Sequence, residues 1–448
     1  MTERKKLSDA VTFLIERAHR HGAESAESFG VDSLSMSAEC RLQKTESLEY
    51  AQTSGVDLRV FVGRRQAVVS SSILDEKTLD ELAERAVEMA RAVPEDPYCG
   101  LADPALLATE FPDADLCDPY VPTPEKLLET AMIAEEAALS VPGVTNSSGA
   151  GASYDGSEII MASTSGFFRS YRRSGSSFSV SVVAEDKNGL KETDYDFSSA
   201  VYFSDLEPTE AIGKRAGERT VRRLGARKID SGRMSILLEP RLAKGLVGTF
   251  ASAINGAAVA RGTSFLKDSL EAPVFADNVS ILEDPHRRRG PASRPCDAEG
   301  LPTRERALVD RGILTTWLLD LRSARQLALE PTGHAARGLG GIPHPSASNL
   351  TLAGGTLTPE ELMADITHGL YLTNLFGQGI NMITGDYSRG ASGFLIENGK
   401  ITLPVHEITV AGNLKDMFRR LVPANDIELR SAVRAPTVRL DDISVAGK

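Results

Sequence analysis

The stretch LFGQGINMITGDYSRGASGFLIENGKITLPVHEITVAGNL, residues 375–414, decides how we interpret the second half of this chain. It holds seven glycines between short apolar runs, and glycine permits tight turns and close approach of backbones. From residue 233 onward the sequence keeps this character, with short strand-like runs and few long helical patterns. We therefore predict a β-rich, barrel-like C-terminal domain over residues 233–448.

The first half of the chain alternates helical and strand-like patterns, which predicts an α+β fold. Apolar residues recur at helical spacing in four stretches, each ending near Gly or Pro: residues 7–21, 76–92, 124–140 and 208–224. Thr123 precedes the third of them as a helix cap, with Pro124 at its first position.

Alternating apolar residues around the turns Gly63–Arg65 and Asn188–Gly189 predict two β-hairpins between these helices. We therefore expect an α/β N-terminal region over residues 1–228, with an antiparallel sheet and flanking helices. A connection rich in Pro, Asp and Gly divides it into two predicted subdomains, residues 1–95 and 121–228.

The charge of the chain argues against nucleic acid as a partner. Its 50 Lys and Arg residues are outnumbered by 62 Asp and Glu residues, which gives a net charge of −12, whereas proteins that bind nucleic acid present a basic field. Two basic clusters, residues 219–227 and 286–289, are interpreted as a solvated helix face and a solvated loop. The glycine-rich segment 338–341 is interpreted as a plain flexible loop.

Targeting signals are not recognisable in the sequence. The N-terminal residues lack the apolar core and the cleavage site of a signal peptide. The longest uncharged run, residues 245–260, is shorter than a membrane span needs. The four cysteines are far apart and form no Cys-x-x-Cys pair, as expected for reduced thiols. We therefore predict a cytoplasmic protein that does not interact with membranes.

Familiar catalytic motifs are missing from the sequence, which has no Gly-x-Ser-x-Gly elbow, phosphate loop or dinucleotide fingerprint. Its one His-Glu pair, His406-Glu407, is not followed by the second histidine of a zinc-binding helix. The flanking residues LPVHEITVAG indicate a strand, in which neighbouring side chains point to opposite faces. We therefore expect His406 and Glu407 to face different sides.

Four consecutive polar residues in the opening stretch could form a binding site: Asp386, Tyr387, Ser388 and Arg389. They offer an acid, a phenol, a hydroxyl and a guanidinium. One interpretation is a β-turn that the aspartate stabilises and an arginine ion pair caps. The other is one polar wall of a peptide-binding groove. From the residues alone, both interpretations stay open.

Three blocks carry a family resemblance in the right order: residues 254–270 (INGAAVARGTSFLKDSL), residues 312–338 (GILTTWLLDLRSARQLALEPTGHAARG) and residues 384–418 (TGDYSRGASGFLIENGKITLPVHEITVAGNLKDMF). Together they resemble the PmbA (TldE) branch of the TldD/PmbA peptidase family. The resemblance implies an α/β N-terminal region, a β-rich C-terminal domain, and pairing of two chains around a cavity. It also implies action on unfolded peptides and maturation of peptide precursors.

The resemblance further implies where a zinc site would lie. The TldD branch carries His-Glu-x-x-x-His, completed by a later cysteine, and the matching segment here is LVGTFASA. Gly248, Thr249 and Ala253 stand at the positions of the first His, the Glu and the second His. The C-terminal region has no cysteine either. We therefore predict no metal and no cofactor in this chain, and zinc in a TldD-type partner.

The leading hypothesis is a non-catalytic subunit of a TldD/TldE metalloprotease that shapes the cavity and holds an unfolded peptide. Its candidate contacts are Asp386, Tyr387, Ser388, Arg389 and His406, and strand addition is the expected binding mode. One alternative is a stand-alone metallopeptidase with a dispersed site, using ligands such as His334, His344 and His406. The other is a non-proteolytic homodimer that binds peptides as a modulator.

Overall fold

A computed structural model of the protein describes residues 3–448. Its N-terminal half contains four helices and six strands: α1 (Glu3–Arg20), α2 (Glu76–Ala92), α3 (Pro124–Leu139), α4 (Thr209–Arg222), β1 (Ser25–Arg41), β2 (Lys44–Val62), β3 (Arg65–Ser71), β4 (Val144–Ser163), β5 (Phe168–Glu185) and β6 (Lys191–Ala200). The predicted helices and both predicted hairpins are all present. The predicted cap is also confirmed, because the Thr123 side chain accepts a hydrogen bond from the Lys126 backbone.

The six strands form one antiparallel sheet in the order β3-β2-β1-β4-β5-β6. Strands β1 and β4 pair from Glu27 opposite Ser163 to Cys40 opposite Ala150. This pairing joins the two predicted subdomains into a single sheet. Helices α1 and α2 cover one half of it through one apolar cluster, and α3 and α4 cover the other half through a second cluster.

The C-terminal half contains short helices and many strands. The helices are α5 (Pro240–Ala253), α6 (Gly256–Ala260), α7 (Leu321–Leu327), α8 (Pro359–Met363) and α9 (Leu414–Arg419). The strands are β7 (Gly232–Leu238), β8 (Ile281–Glu283), β9 (Arg306–Asp310), β10 (Ile313–Leu314), β11 (Ala335–Ala336), β12 (His344–Pro345), β13 (Leu350–Leu352), β14 (His368–Phe376), β15 (Asp386–Glu397), β16 (Lys400–Asn413), β17 (Val422–Pro423), β18 (Val433–Arg434) and β19 (Val438–Ala446).

Five of these strands close into a barrel, as the glycine-rich sequence predicts. Their order is β16-β15-β14-β7-β19, and β19 pairs back to β16 at Thr409 opposite Ala446. Closure leaves these strands without an unpaired edge. Helix α5 contributes Phe250 to the C-terminal core, beside the stacked rings of Phe275 and Phe418, whose centroids are 4.5 Å apart.

The glycine-rich segment 338–341 is a loop, as predicted, and one of its N–H groups is anchored on the N-terminal sheet. The Gly340 N–H donates to Asp57 Oδ2 at 2.7 Å, and Asp57 is fully buried on β2. On the same strand, Arg59 lies 3.0 Å from Glu27 of β1 and stacks over the Phe61 ring. Arg59 also lies 4.0 Å from Glu299. Two loops of the C-terminal half, one at Glu299 and one at residues 337–340, therefore contact the N-terminal sheet.

Within residues 3–448, we find no helix that is long and apolar enough to cross a membrane.

Candidate functional site

Helix α5 carries the three positions at which the resemblance places the lost zinc motif. A Cβ atom built on Gly248 would meet no other atom within 4 Å, so this position is open. Thr249 is half-buried, and its hydroxyl donates back to the Gly245 carbonyl at 2.8 Å. Ala253, in contrast, is fully buried in the C-terminal core. The helix therefore presents two open positions and one closed position, and none of the three has a side chain that binds metal.

A metal site could also be assembled from distant residues. Among the residues that the structure describes, no group of three or more His, Cys, Asp or Glu side chains is arranged to hold a metal ion. A catalytic zinc needs about three protein ligands and a base. The donor set of residues 3–448 therefore does not fit a catalytic zinc ion.

His334, one of the dispersed ligand candidates, is buried and already bound. Its Nε2 lies 2.6 Å from Glu283 Oε2, and its Nδ1 lies 2.7 Å from the Thr332 hydroxyl. Although burial opposes ionisation of Glu283, hydrogen bonds from His334 and Ser348 hold the pKa of this carboxyl at about 2. Burial lowers the pKa of His334, and the neighbouring Glu283 carboxylate opposes this effect.

The other two histidine candidates lie on the outside of the C-terminal half. His344 is exposed on β12, and His406 is half-buried on β16. Neither joins His334 in a cluster that could hold a metal within residues 3–448.

The expectation that His406 and Glu407 face opposite sides of a strand was wrong. Glu407 adopts a φ of 50°, and the register between β15 and β16 shifts at this point. Such a bulge breaks the alternation of side chains. Val405 and Ile408 on either side are both buried, whereas His406 and Glu407 both lie on the outer side. Glu407 pairs with Lys228 at 2.6 Å, and this ion pair lowers the pKa of its carboxyl.

The four polar residues 386–389 begin strand β15, and strand alternation separates them. Asp386 and Ser388 are exposed, whereas Tyr387 is buried in the core, where burial raises its pKa to about 12. Arg389 is half-buried, and its Nη2 donates to the Leu375 carbonyl at 3.3 Å. The exposed side of this segment therefore presents Asp386 and Ser388, with Arg389 partly accessible.

Asp386 is held in place by its neighbours. The Thr384 hydroxyl donates to its Oδ2 at 2.6 Å, and Asn413 Nδ2 donates to its Oδ1 at 3.1 Å. These two hydrogen bonds lower the pKa of the exposed carboxyl. Thr384 lies in the turn before β15 and Asn413 is the last residue of β16, so the aspartate stabilises the start of β15 and remains accessible to a ligand.

A cleft of about 690 Å³ opens between the two halves of the chain. Its volume lies within the range of sites that bind ligands. The end of β6 forms one wall, and two loops of the C-terminal half form the other. The lining residues are Ser198, Ser199, Ala200, Val201, Asp205, Glu207, Arg288, Arg289, Pro291, Leu429, Arg430 and Arg434.

A second hollow of about 380 Å³ continues this cleft across the N-terminal sheet. The two share Ser199, Ala200, Val201 and Pro291 as lining residues. The second hollow is lined mainly by small polar residues of β4 and β5, among them five serines: Ser153, Ser157, Ser174, Ser176 and Ser177. Together they form a groove rich in hydroxyl groups, which we call the interdomain groove.

The outer edge of β6 is largely blocked against strand addition. The carbonyls of Thr193 and Tyr195 accept hydrogen bonds from Arg223 and Arg241. The N–H groups of Tyr195 and Phe197 donate to the carboxylates of the aspartates that precede them. The remaining end of this edge, Ser198–Ala200, lies in the interdomain groove. A peptide strand could therefore extend the sheet at this end.

The sequence analysis did not identify the arginines of the groove as a site, because it interpreted residues 286–289 as a solvated loop. That interpretation was wrong for Arg289, which pairs with Asp115 and Asp205 and stacks on the Tyr202 ring. It holds for Arg288, whose side chain is 77% exposed. The cluster at 219–227 is likewise not simply solvated, because Arg223 is buried and pairs with Glu192. No local signal in the sequence identifies these distant partners.

The antiparallel sheet with its flanking helices and the closed barrel that follows define an α+β fold of the TldD/TldE type. The chain belongs to the PmbA/TldD metallopeptidase family. Family models match residues 26–90 as PmbA/TldA metallopeptidase domain 1, residues 117–224 as the central domain, and residues 231–447 as the C-terminal domain.

Known proteins resemble the chain over nearly its full length. It is 38% identical to metalloprotease PmbA of Escherichia coli O157:H7, covering 100% of this chain and 97% of that protein. A solved structure from Bacteroides thetaiotaomicron is 27% identical with a TM-score of 0.90, covering 98% of this chain and 99% of the other. TldE of Thermococcus kodakarensis shares the fold with a TM-score of 0.86 at 19% identity, covering 98% and 100%.

Proposed function

We propose that this chain is a PmbA/TldE-like subunit of a cytoplasmic metalloprotease complex that acts on unfolded peptides. In this proposal, the chain binds the peptide and shapes the cavity, while a TldD-type partner supplies the zinc ion and the general base. The products are shorter peptides, including matured forms of peptide precursors.

The observation that carries this proposal is the composition of helix α5. Gly248, Thr249 and Ala253 occupy the positions of the zinc motif, and none can coordinate a metal or act as a carboxylate base. Membership of a metallopeptidase family, combined with a donor set that does not fit zinc, favours a role as a partner of the catalytic chain over catalysis by this chain alone.

The interdomain groove supports the peptide-binding part of the proposal. An extended peptide exposes one N–H and one C=O per residue, and these groups need partners when the peptide leaves water. The groove is lined by serine hydroxyls, which can both donate and accept. Several of them now bond to each other or to backbone carbonyls, as in the 2.9 Å contact of Ser153 with Ser177, and would exchange these partners for a bound peptide. The accessible end of β6 supplies backbone groups for strand addition, which depends little on the peptide sequence.

The test is cleavage of an unfolded peptide by the purified chain, by a TldD-type partner, and by their mixture, each with and without a chelator. We expect that the chain alone does not cleave, that the mixture does, and that chelator abolishes cleavage. Chelator-sensitive cleavage by the chain alone would instead establish a stand-alone metallopeptidase. Peptide binding without any effect on the partner's turnover would establish a non-proteolytic modulator.

A matched pair of variants makes this test specific to helix α5. The double variant Gly248→His with Thr249→Glu adds a metal ligand and a base at the two open positions. Thr249→Ser is its control, because it changes the same helix without adding a ligand or a charge. If the chain acts only through a partner, neither variant alone cleaves peptide, because the third position is buried and the cysteine ligand is missing.

A further inference from the structure

The interdomain groove carries more positive charge than its own acids can neutralise. Four arginines and two acids line its larger part, an excess of two positive charges in a chain whose net charge is −12. Both acids are already bound: Glu207 pairs with Arg215 and Arg430, and Asp205 pairs with Arg289. Arg288 pairs with Asp115, which lies outside the lining, at 3.2 Å. Arg434 is therefore the one lining arginine without an ion pair among residues 3–448.

Of the four arginines, Arg434 has the fewest hydrogen-bond and ion-pair partners. Its Nη2 donates to the Leu429 carbonyl at 3.2 Å, but its buried Nε has no hydrogen-bond partner, and the side chain makes no ion pair within the described part of the chain. Burial lowers its pKa, and Asp284 opposes this effect only from a distance. A guanidinium in this position can donate hydrogen bonds to a carboxylate.

Arg287 lies behind Arg434 and adds to the unmatched charge. Its Nη2 donates to Asn349 and to the Ser431 carbonyl, but its Nε and Nη1 are buried without partners among the described residues. Burial and repulsion from Arg434 lower its pKa to about 10. Both guanidiniums are half-buried, Asp284 attracts them only at longer range, and neither makes an ion pair within residues 3–448. Buried charges are normally paired, so a carboxylate from outside the chain would supply the missing partner.

We propose that the interdomain groove binds a carboxylate group of the peptide, with Arg434 as its main contact and Arg288 at the rim. The inference rests on the proposed peptide-binding function and deepens it by naming the chemical group that is recognised. The planar guanidinium matches a carboxylate through two parallel hydrogen bonds. The Ser198–Ala200 end of β6, in the same groove, binds the peptide backbone next to this carboxylate.

The carboxylate can come from the C-terminus of the peptide or from an Asp or Glu side chain. A terminal carboxylate would fix the position of the peptide relative to one of its ends, whereas side-chain recognition would select acidic sequences. Both use the same arginine chemistry, so the two sources are separated by experiment.

The experiment measures binding of a fluorescently labelled unfolded peptide to the full-length chain by anisotropy. The peptide is used in three forms: with a free C-terminal carboxylate and no acidic side chains, as its C-terminal amide, and as the amide with one internal glutamate. The proteins compared are the native chain, Arg434→Gln, Arg434→Lys and the control Arg311→Gln. Arg311 is an exposed arginine of the same half of the chain.

We expect the native chain to bind a carboxylate-bearing form about 10-fold more tightly than the amide without glutamate. Arg434→Gln should lose this preference, Arg434→Lys should retain part of it, and Arg311→Gln should retain all of it. Tight binding of the free-acid form alone identifies the terminal carboxylate, and tight binding of the glutamate form identifies the side chain. The preference should weaken with added salt.

Equal affinity for all three forms would overturn the inference, as would a preference that survives in Arg434→Gln. If Arg434→Gln does not fold, Arg288→Gln serves instead, since Arg288 is 77% exposed, and it should weaken the preference a few-fold. Partner-dependent cleavage that persists alongside equal affinities would leave the proposed function standing. Loss of partner-dependent cleavage in the native chain would overturn the proposed function itself.

Discussion

Arg337 Nη2 lies 2.5 Å from Asp57 Oδ1, and this ion pair joins the C-terminal half of the chain to the N-terminal sheet. The two side chains are 2% and 0% exposed. Arg337 also lies 2.8 Å from Glu27 Oε1, so one guanidinium bridges two neighbouring strands, β1 and β2. The relative position of the two halves, and therefore the shape of the interdomain groove, depends on this buried contact.

Arg337→Ala should destabilise the protein by about 3–5 kcal/mol, because it leaves the buried Asp57 carboxylate without its ion-pair partner and Glu27 with Arg59 alone. The measurement is urea unfolding followed in parallel by circular dichroism and by fluorescence of Trp317, the single tryptophan, which is buried in the C-terminal core. In the native chain the two signals should change together. In the variant they should separate, because the N-terminal sheet loses its anchor.

Arg311→Ala is the control for this prediction, since its pair with Asp310 is exposed and long at 3.9 Å. It should change stability by less than about 1 kcal/mol. Equal urea midpoints for Arg337→Ala and Arg311→Ala would show that the buried ion pair does not hold the two halves together.

Glu283 should make the stability of the chain sensitive to acid. Its pKa is about 2 in the folded state, below the usual value of about 4.3 that it regains on unfolding. The carboxylate therefore stabilises the fold above the unfolded pKa, and this contribution is lost as the pH falls from about 4.3 to about 2. The full contribution is about 3 kcal/mol.

Urea unfolding of the native chain and of Glu283→Gln at several pH values between 7 and 3 tests this prediction. The variant should be less stable at neutral pH, and the difference should shrink towards pH 3. Glu305→Gln, which removes an exposed carboxylate of the same half, should show no such pattern. A difference that stays constant with pH would mean that the hydrogen bonds to Glu283 do not depend on its charge.

Two helical glycines should respond to alanine in opposite directions. Gly248→Ala should stabilise the protein by about 0.5–1 kcal/mol, because a Cβ there meets no atom within 4 Å and alanine is the better helix former. Gly213→Ala on α4 should destabilise it, because a Cβ there would overlap the Ala134 carbonyl and the Ala137 side chain. Thermal unfolding of both variants decides this, and destabilisation by Gly248→Ala would show that the open face of α5 is covered in solution.

The sequence predicted those parts of the fold that local signals determine. Helix α2 was predicted over residues 76–92 and is found there, since an aspartate caps its start and its apolar face has a regular period. The closed barrel followed from glycine-rich, alternating strands. The bulge at Glu407 could not be predicted, because it depends on the register between β15 and β16. The unmatched charge of Arg434 could not be predicted either, because the acids that neutralise its neighbours lie on β6 and the loops that follow it.

The segment 386–389 separates a binding role from a structural one more cleanly than any other candidate. Asp386→Ala removes an exposed carboxylate and two hydrogen bonds at the surface, so the variant should fold with a loss of about 1 kcal/mol. If Asp386 contacts peptide, cleavage by the mixture with a TldD-type partner should fall several-fold. Asp310→Ala, which removes an exposed carboxylate elsewhere on the same half, should leave cleavage unchanged.

Tyr387 supplies the matching structural control one residue away. Its ring lies in the core, so Tyr387→Ala should destabilise the protein by about 3–5 kcal/mol, whatever its effect on cleavage. Arg389→Ala should cost an intermediate amount of stability, because the guanidinium of Arg389 is half-buried and donates to the Leu375 carbonyl. Soluble expression, the urea midpoint and partner-dependent cleavage should be measured for all three variants. If Asp386→Ala abolishes soluble expression, the carboxylate stabilises the turn and is not a peptide contact; if it folds normally and cleavage alone falls, the exposed side of β15 belongs to the substrate cavity.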